Sequence, residues 1–207
     1  MIFRQAVCVM AAWLVAACAG APVPATTWLR LSAEPPAGSA VAAAPGTVAA
    51  ADDAVWQLVL PVALPGHLDR DTLFVPQGLT GARVAPLAAA RWVEPLRDAV
   101  PRVLREDLMR ALGGRMVWWT PLPPGVLPTR QLRVEVVAFE IAADGRALLT
   151  QARWSLADVH GAVAPGVHEA RLVTPVADAG NAEAWALAHR RAIAELAARI
   201  APTMQAR

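Results

Sequence analysis

The sequence predicts an α+β fold, a two-layer sandwich in which two helices pack on one face of a mainly antiparallel sheet. Three observations support this. Short apolar segments with the two-residue period of β-strands precede one segment with the period of a helix. Longer alternating strands joined by tight turns follow, and an Ala-rich helical segment comes last. When strands and helices follow one another in this order, their apolar residues are buried if the helices pack on one face of the antiparallel strands.

Four short strands are expected before the first helix, over residues 26–31, 55–62, 72–77 and 82–87. Pro61 has no amide hydrogen, which places it at a sheet edge or a strand end. The first helix is expected over residues 92–112, with valines and leucines at three- and four-residue steps. Pro95 suits its first turn, and Pro101 predicts a kink or a restart. Gly113 and Gly114 end it.

The second half is expected to begin with a short strand at residues 116–119 and to continue as a three-stranded meander. Strands 131–141 and 148–156 are joined by a tight turn at Asp144 and Gly145. The third strand, residues 167–174, follows a turn at His160 and Gly161. Alternation on the middle strand predicts one face with Leu148, Thr150, Ala152, Trp154 and Leu156, and another with Leu149, Gln151, Arg153 and Ser155.

The last predicted helix covers residues 181–200. Its apolar stripe consists of Trp185, Ala188, Ala192, Leu196 and Ile200. His189 is followed by two arginines, and we therefore expect it on the exposed side. Both helices should cover one face of the sheet, which leaves the opposite face for solvent or a partner.

The first 25 residues have the features of an exported lipoprotein. Arg4 precedes an apolar run over residues 6–17, which is shorter than the roughly 20 residues that a membrane span needs. The stretch LVAACAG puts Cys18 directly after small residues, as in a bacterial lipobox. We expect a signal peptide at residues 1–17, a diacylglycerol and an N-acyl chain on Cys18, and a lipidated tether at residues 18–25. Several acyl chains make such an attachment effectively permanent.

The residue after the lipidated cysteine gives an expectation for location. Ala19 stands where an aspartate is the usual inner-membrane retention signal in enterobacterial lipoproteins. We therefore expect the chain on the periplasmic face of the outer membrane.

Composition predicts a single domain over residues 26–207. The 19 basic and 17 acidic residues nearly cancel, and no basic block occurs, so nucleic acid is not an expected partner. Cys8 leaves with the signal peptide and Cys18 is acylated, so no disulfide is expected. Residues 34–53 are rich in Pro, Gly and Ala and have few large apolar groups, which predicts a flexible loop.

No group of residues has a spacing suited to nucleophilic catalysis. Ser155, Asp158 and His160 are the residue types of a catalytic triad, but they lie within one strand and its turn and cannot converge. No Gly-rich phosphate loop precedes a helix. We therefore expect no enzymatic activity and no cofactor other than the acyl chains.

A metal site is not expected either. His67, Asp69 and Asp71 have alternating ligand spacing, but Arg70 lies among them. A run of this kind is more typical of a solvated turn, which is the interpretation that we adopt.

The order of the segments resembles the PqiC/YmbA family of ABC-type transport auxiliary lipoproteins. Four places carry the resemblance: the lipobox followed by TTWLRLSAEPP, then LPVALPGHLDRDTLFV, ARWVEPLRDAVPRVLREDLMRAL and LRVEVVAFEIAADGRALLTQARWSLAD. They cover nearly all of the mature chain in the family's order. The long insert at residues 34–53 and Trp28, where tyrosine is common, depart from the family pattern.

The resemblance implies a non-enzymatic role. Proteins of this family act beside MCE-domain proteins, which form channels or tunnels that move lipids between the inner and outer membranes. The resemblance implies that the lipoprotein docks the end of such a tunnel at the outer membrane, as a homo-oligomeric ring. Contacts with a partner or a second subunit are expected at a family-like turn and at two aromatic residues, namely His67, Leu68, Asp69, Arg70, Trp118 and Trp119.

Two other functions remain open. One is a periplasmic carrier that holds a single acyl chain in a cavity between sheet and helices. The other is a periplasmic hydrolase, which would need a convergent Ser/His/Asp or metal cluster.

Overall fold

The computed structural model describes residues 25–38, 54–78, 82–161 and 166–206. Within them the elements are β1 (Thr27–Leu29), β2 (Trp56–Leu58), β3 (Thr72–Gln77), β4 (Arg83–Trp92), α1 (Leu96–Ala111), β5 (Val117–Trp118), β6 (Arg130–Ile141), β7 (Ala147–Asp158), β8 (Gly166–Pro175) and α2 (Ala182–Gln205). One 3-10 turn, Gly66–Leu68, lies between β2 and β3. The predicted signal peptide, Cys18, tether residues 18–24 and loop residues 39–53 lie outside the described residues.

The described strands form two sheets. The larger has the order β5-β2-β6-β7-β8, and the smaller has the order β1-β4-β3. The meander β6-β7-β8 is antiparallel as predicted, whereas β2 runs parallel to both β5 and β6, and β1 runs parallel to β4. The predicted α+β sandwich is confirmed, but the single sheet that the sequence suggested is divided in two.

The first helix begins later than predicted. Trp92 is the last residue of β4, where its N–H donates to the Asp71 carbonyl at 2.6 Å. α1 begins at Leu96, directly after Pro95. Pro101 is buried inside α1 and the helix continues past it, so the predicted restart does not occur.

The other strand predictions differ from the structure mainly at the ends. β2 ends at Leu58, three residues before Pro61, which agrees with a proline placed beyond a strand end. The alternation predicted for β7 is confirmed: the five residues assigned to one face are buried, and the four assigned to the other are exposed or half-buried. That outward row faces away from the core.

The helices close the core over the inner face of the larger sheet. α2 packs on β7 and β8, and α1 packs on α2. The whole predicted stripe of α2 is buried. The Asn181 side chain caps this helix, accepting from the backbone N–H of Glu183 at 2.8 Å and of Ala184 at 3.3 Å.

One ion pair lies inside this core. Asp107 of α1 is 0% exposed and Arg190 of α2 is 1% exposed. The guanidinium donates to both carboxylate oxygens, at 2.6 and 2.7 Å. Two further N–H donors reach the carbonyls of Ser32 at 2.8 Å and Ala33 at 2.9 Å. The pair therefore fastens both helices to the segment that follows β1.

Arg110 completes the surroundings of this carboxylate by donating to Asp107 Oδ1 at 2.8 Å. Burial raises the pKa of the Asp107 carboxyl, and the hydrogen bonds and charges of Arg190 and Arg110 act in the opposite direction. The buried charge is offset by two arginines, with Arg190 bonded to both carboxylate oxygens and Arg110 to Oδ1.

Arg190→Met should lower the free energy of unfolding by about 3–5 kcal/mol, because it removes the guanidinium from two carbonyls and from both oxygens of a buried carboxylate, which then keeps only the Arg110 hydrogen bond to Oδ1. Urea denaturation measures the loss. Arg191→Met, at the half-buried neighbouring position, is the matched control and should cost less than about 1 kcal/mol. Adding Asp107→Leu to Arg190→Met should recover part of the loss. Equal costs for the two methionine variants would contradict this role.

Candidate functional site

A candidate binding space is the cleft between the β3–β4 hairpin and the carboxyl end of β6, here called the hairpin cleft. Its volume is about 500 Å³. Phe74 and Val84 of the hairpin, Phe139 and Ile141 of β6, and His189 of α2 contribute to its lining. The volume lies within the range of small-molecule pockets, and these walls are mostly apolar.

His189 lies among aromatic rings at this cleft. Its ring meets Trp92 edge to face at 5.4 Å between centroids and Phe139 at 4.7 Å. Its Nδ1 lies 2.7 Å from the Trp185 carbonyl oxygen. Burial lowers the pKa of His189 to about 4, and the hydrogen bond to Trp185 works in the opposite direction. The ring is therefore neutral at physiological pH.

The prediction that His189 is exposed is wrong, since only 2% of the residue is accessible. The sequence did contain a signal for its burial. His189 is one turn after Trp185 and next to Ala188, so it borders the apolar stripe on which both of those residues lie. The exposed side was predicted instead because histidine is polar and two arginines follow it in the sequence.

The predicted contact turn lies at the rim of the hairpin cleft. Nε2 of His67 is 3.7 Å from Oε1 of Glu140. Leu68 is buried and lines the cleft, so it is held in the core. Asp69 accepts a hydrogen bond from Arg97 of α1 at 2.8 Å, and Arg70 is exposed. The structure therefore brings the four residues to one place, with three of them exposed.

The two predicted aromatic contacts lie elsewhere. Trp118 and Trp119 are both half-buried at the β5 edge of the larger sheet, and the Arg105 guanidinium lies 4.1 Å from the Trp119 ring centre. Trp118 and Gln131 both pair with Gln57 of β2, so they lie in the same row across the sheet. Glu140, beside the turn, lies nine residues farther along β6, which corresponds to about 30 Å. The turn and the tryptophans therefore belong to different surfaces.

The residue types that suggested catalysis have other roles here. Asp158 Oδ1 accepts from the backbone N–H of His160 at 2.7 Å and so stabilises the turn after β7. Ser155 lies on the outward row of β7. His67 and Asp69 contact different partners, and the described part of the chain contains no group of three or more side chains that could hold a metal ion.

Comparison with known families decides which family this chain belongs to. Residues 39–201 match the family model of the ABC-type transport auxiliary lipoprotein component. The chain belongs to this family. The resemblance found in the sequence is thereby confirmed, and the protein is an auxiliary lipoprotein of ABC-type transport. None of the helices in the described ranges is long and apolar enough to span a membrane.

Solved structures share the fold of this auxiliary lipoprotein. A crystal structure of an uncharacterized protein superposes with a TM-score of 0.65 at 16% identity, covering 87% of this chain and 99% of the other. A Xanthomonas campestris protein of family DUF330 gives a TM-score of 0.59 at 14% identity, covering 72% and 83%. At these identities the likeness shows the fold alone. No curated protein matches the sequence.

Stability should fall as the pH is lowered from about 6.5 to about 4. The unfolded histidine binds a proton near its ordinary pKa of 6.5, whereas folded His189 resists protonation until about pH 4. This difference corresponds to about 3 kcal/mol of unfolding free energy that is present above pH 6.5 and lost toward pH 4. Urea denaturation across this range measures it.

His189→Gln is the comparison for this pH dependence, because it keeps a polar side chain without a titrating ring. Its unfolding free energy should depend less on pH over the same range. His67→Gln, at the exposed rim of the cleft, is the matched control and should retain the wild-type slope. A slope that His189→Gln leaves unchanged would show that other groups cause it.

Proposed function

We propose that this auxiliary lipoprotein is held on the periplasmic face of the outer membrane by acyl chains on Cys18 and docks an MCE-domain protein of an ABC-type or PqiB-like lipid transporter. Its role in this proposal is non-enzymatic. The observation that carries the proposal is the family match over residues 39–201, which assigns the chain to an auxiliary component of transport. The lipobox and Ala19 support the location.

The tether supports a docking function close to the bilayer. From Cys18 to Thr27 the chain spans at most roughly 30 Å even when fully extended. β1 begins at Thr27 and pairs with β4, and the Arg190 guanidinium binds the carbonyls of Ser32 and Ala33. An anchor this short raises the local concentration of the domain at the membrane, so a weak contact with the partner suffices.

The turn at residues 67–70 is the proposed docking surface. Buried Leu68 and the Asp69–Arg97 ion pair hold the backbone in place, while the side chains of His67, Asp69 and Arg70 face outward. A turn that is already ordered loses little entropy on binding. In a homo-oligomeric ring, which we include in the proposal, copies of this turn would surround the partner.

The docking proposal is tested by affinity capture from detergent-solubilised membranes, with the chain tagged at its C-terminus. Wild type should recover an MCE-domain protein, and Cys18→Ala should lose membrane retention. Arg70→Glu should reduce recovery about tenfold, because it reverses an exposed charge of the docking turn. Arg133→Glu, on the outward face of β6, is the matched control.

Two results of this capture experiment would contradict docking. If wild type recovers no MCE-domain protein under conditions that preserve a known transport complex, the proposed partner is wrong. Equal losses for Arg70→Glu and Arg133→Glu would mean that the turn is not the contact surface.

A periplasmic lipid carrier is the second candidate function, and the hairpin cleft favours it. A cleft of about 500 Å³ with largely apolar walls has the size and chemistry that a single acyl chain requires. His67 and Glu140 at the rim would face the polar end of such a lipid.

Mass spectrometry of lipid bound to the purified Cys18→Ala chain tests the carrier function. Val84→Trp should lower the bound lipid at least about fivefold by filling the mouth of the cleft, since a fivefold change needs only about 1 kcal/mol. Val93→Trp is the control, because Val93 is 60% exposed, close to the 57% of Val84, and does not line the cleft. A chain that carries no lipid would contradict the carrier function and leave docking unaffected.

A further inference from the structure

Among the described residues, strand β8 presents a long edge with no partner strand. In the described part of the chain it is the last strand of the larger sheet and pairs only with β7. It is 10 residues long, and two of its outward side chains, Val167 and Val173, are 73% and 67% exposed. Proteins usually protect such an edge, because its free N–H and C=O groups can pair with another chain.

The outward side chains of β8 form a self-complementary pattern. They are Val167, Glu169, Arg171 and Val173, so reversing the strand exchanges the two charges and leaves a valine at each end. We infer that β8 pairs with β8 of a second copy of this chain, antiparallel and centred on Ala170. Glu169 then lies opposite the partner subunit's Arg171, and Val167 lies opposite the partner subunit's Val173.

The existing sheet already has the charge order that this pairing continues. Glu135 on β6, Arg153 on β7 and Glu169 on β8 are direct neighbours across the strands. Arg153 Nε lies 3.4 Å from Glu169 Oε2. The partner subunit's Arg171 would be the next residue in this row, which gives an unbroken alternation of negative and positive side chains. Opposite charges directly across two strands are favourable.

The apolar residues continue in the same manner. Leu149 on β7 is 44% exposed and lies directly beside Val173. In the proposed pair the partner subunit's Val167 lies on the other side of Val173. Three exposed aliphatic side chains thus meet at each end of the paired strands and leave water together.

Other registers lose these contacts. An antiparallel pair centred on Glu169 places two glutamates opposite each other, and one centred on Arg171 does the same with two arginines. A pair centred on His168 places Val167 opposite a glutamate. Like charges directly opposite are unfavourable, so the side-chain pattern selects the register centred on Ala170.

The proposed contact is isologous, because each copy uses the same surface, and it closes as a two-fold dimer. A ring requires a different, head-to-tail contact. The edge pairing therefore does not rest on the docking function, and its tests measure self-association rather than capture of a transporter protein.

Charge exchange tests the pairing in the full-length chain, purified in detergent and studied by analytical ultracentrifugation. Glu169→Arg and Arg171→Glu should each weaken self-association about tenfold or more, since each places like charges opposite at two symmetric positions. Mixing the two variants should restore association, because arginines at both positions of one strand then face glutamates at both positions of the other. Glu135→Arg, two strands from the edge, is the matched control and should dimerise as wild type.

Disulfide trapping tests the register and does not depend on those charges. The variants carry Cys8→Ala and Cys18→Ala, which remove both natural cysteines. Ala170→Cys should form a disulfide with its own copy, because directly opposite residues have Cα atoms about 4.5–5.5 Å apart. Val167→Cys should not, since its two copies would lie about 20 Å apart.

Several results would overturn the inference. Wild-type chains that stay monomeric at every concentration exclude the dimer. Dimers that are unaffected by both single charge exchanges use another surface. If Val167→Cys crosslinks as efficiently as Ala170→Cys, the trapped species are random encounters rather than the proposed pair.

Discussion

The buried ion pair of Asp107 and Arg190 is the constraint on which the arrangement of this protein depends. Its hydrogen bonds form only when α1, α2 and the segment after β1 meet, because the Arg190 guanidinium of α2 donates both to Asp107 of α1 and to two carbonyls of that segment. The same contact holds the segment directly after β1 against both helices. Core closure and the placement of Ser32 and Ala33 are therefore set by one interaction.

The hairpin cleft follows from the division of the sheet. β4 pairs with β3 over residues 83–86 and again at Arg91, and with β1 only over its last three residues, which end at Trp92. The smaller sheet therefore stands apart from the carboxyl end of β6, and Trp92, Phe139 and His189 fill the base of the gap. Neutral His189 suits this position, since a charged imidazole among aromatic rings would lack a counter-ion.

Local patterns in the sequence predicted much of the fold, and contacts between distant residues account for most of what they did not predict. The faces of β7 and the buried stripe of α2 follow from periodicity within one element. The composition of the two sheets depends on pairings between distant segments, such as that of β1 with β4, and the burial of Arg190 depends on Asp107, 83 residues away. The sequence identified the turn at residues 67–70, but only the structure shows that Leu68 is core and that Trp118 lies on another surface.

The docking turn and the β8 edge would be compatible in one assembly. Leu149 of β7 pairs with Glu140 on one side and with Val173 of β8 on the other, so these three residues lie in one row across the sheet. Glu140 is the residue that His67 contacts. In the proposed antiparallel pair this row continues to Val167 of the partner subunit, so the two turns lie at opposite ends of the joined edges. Five strand spacings across and six residues along the strands separate them by about 30 Å. Such a dimer would present two docking surfaces about 30 Å apart, and a partner that engages both would gain affinity from their linkage.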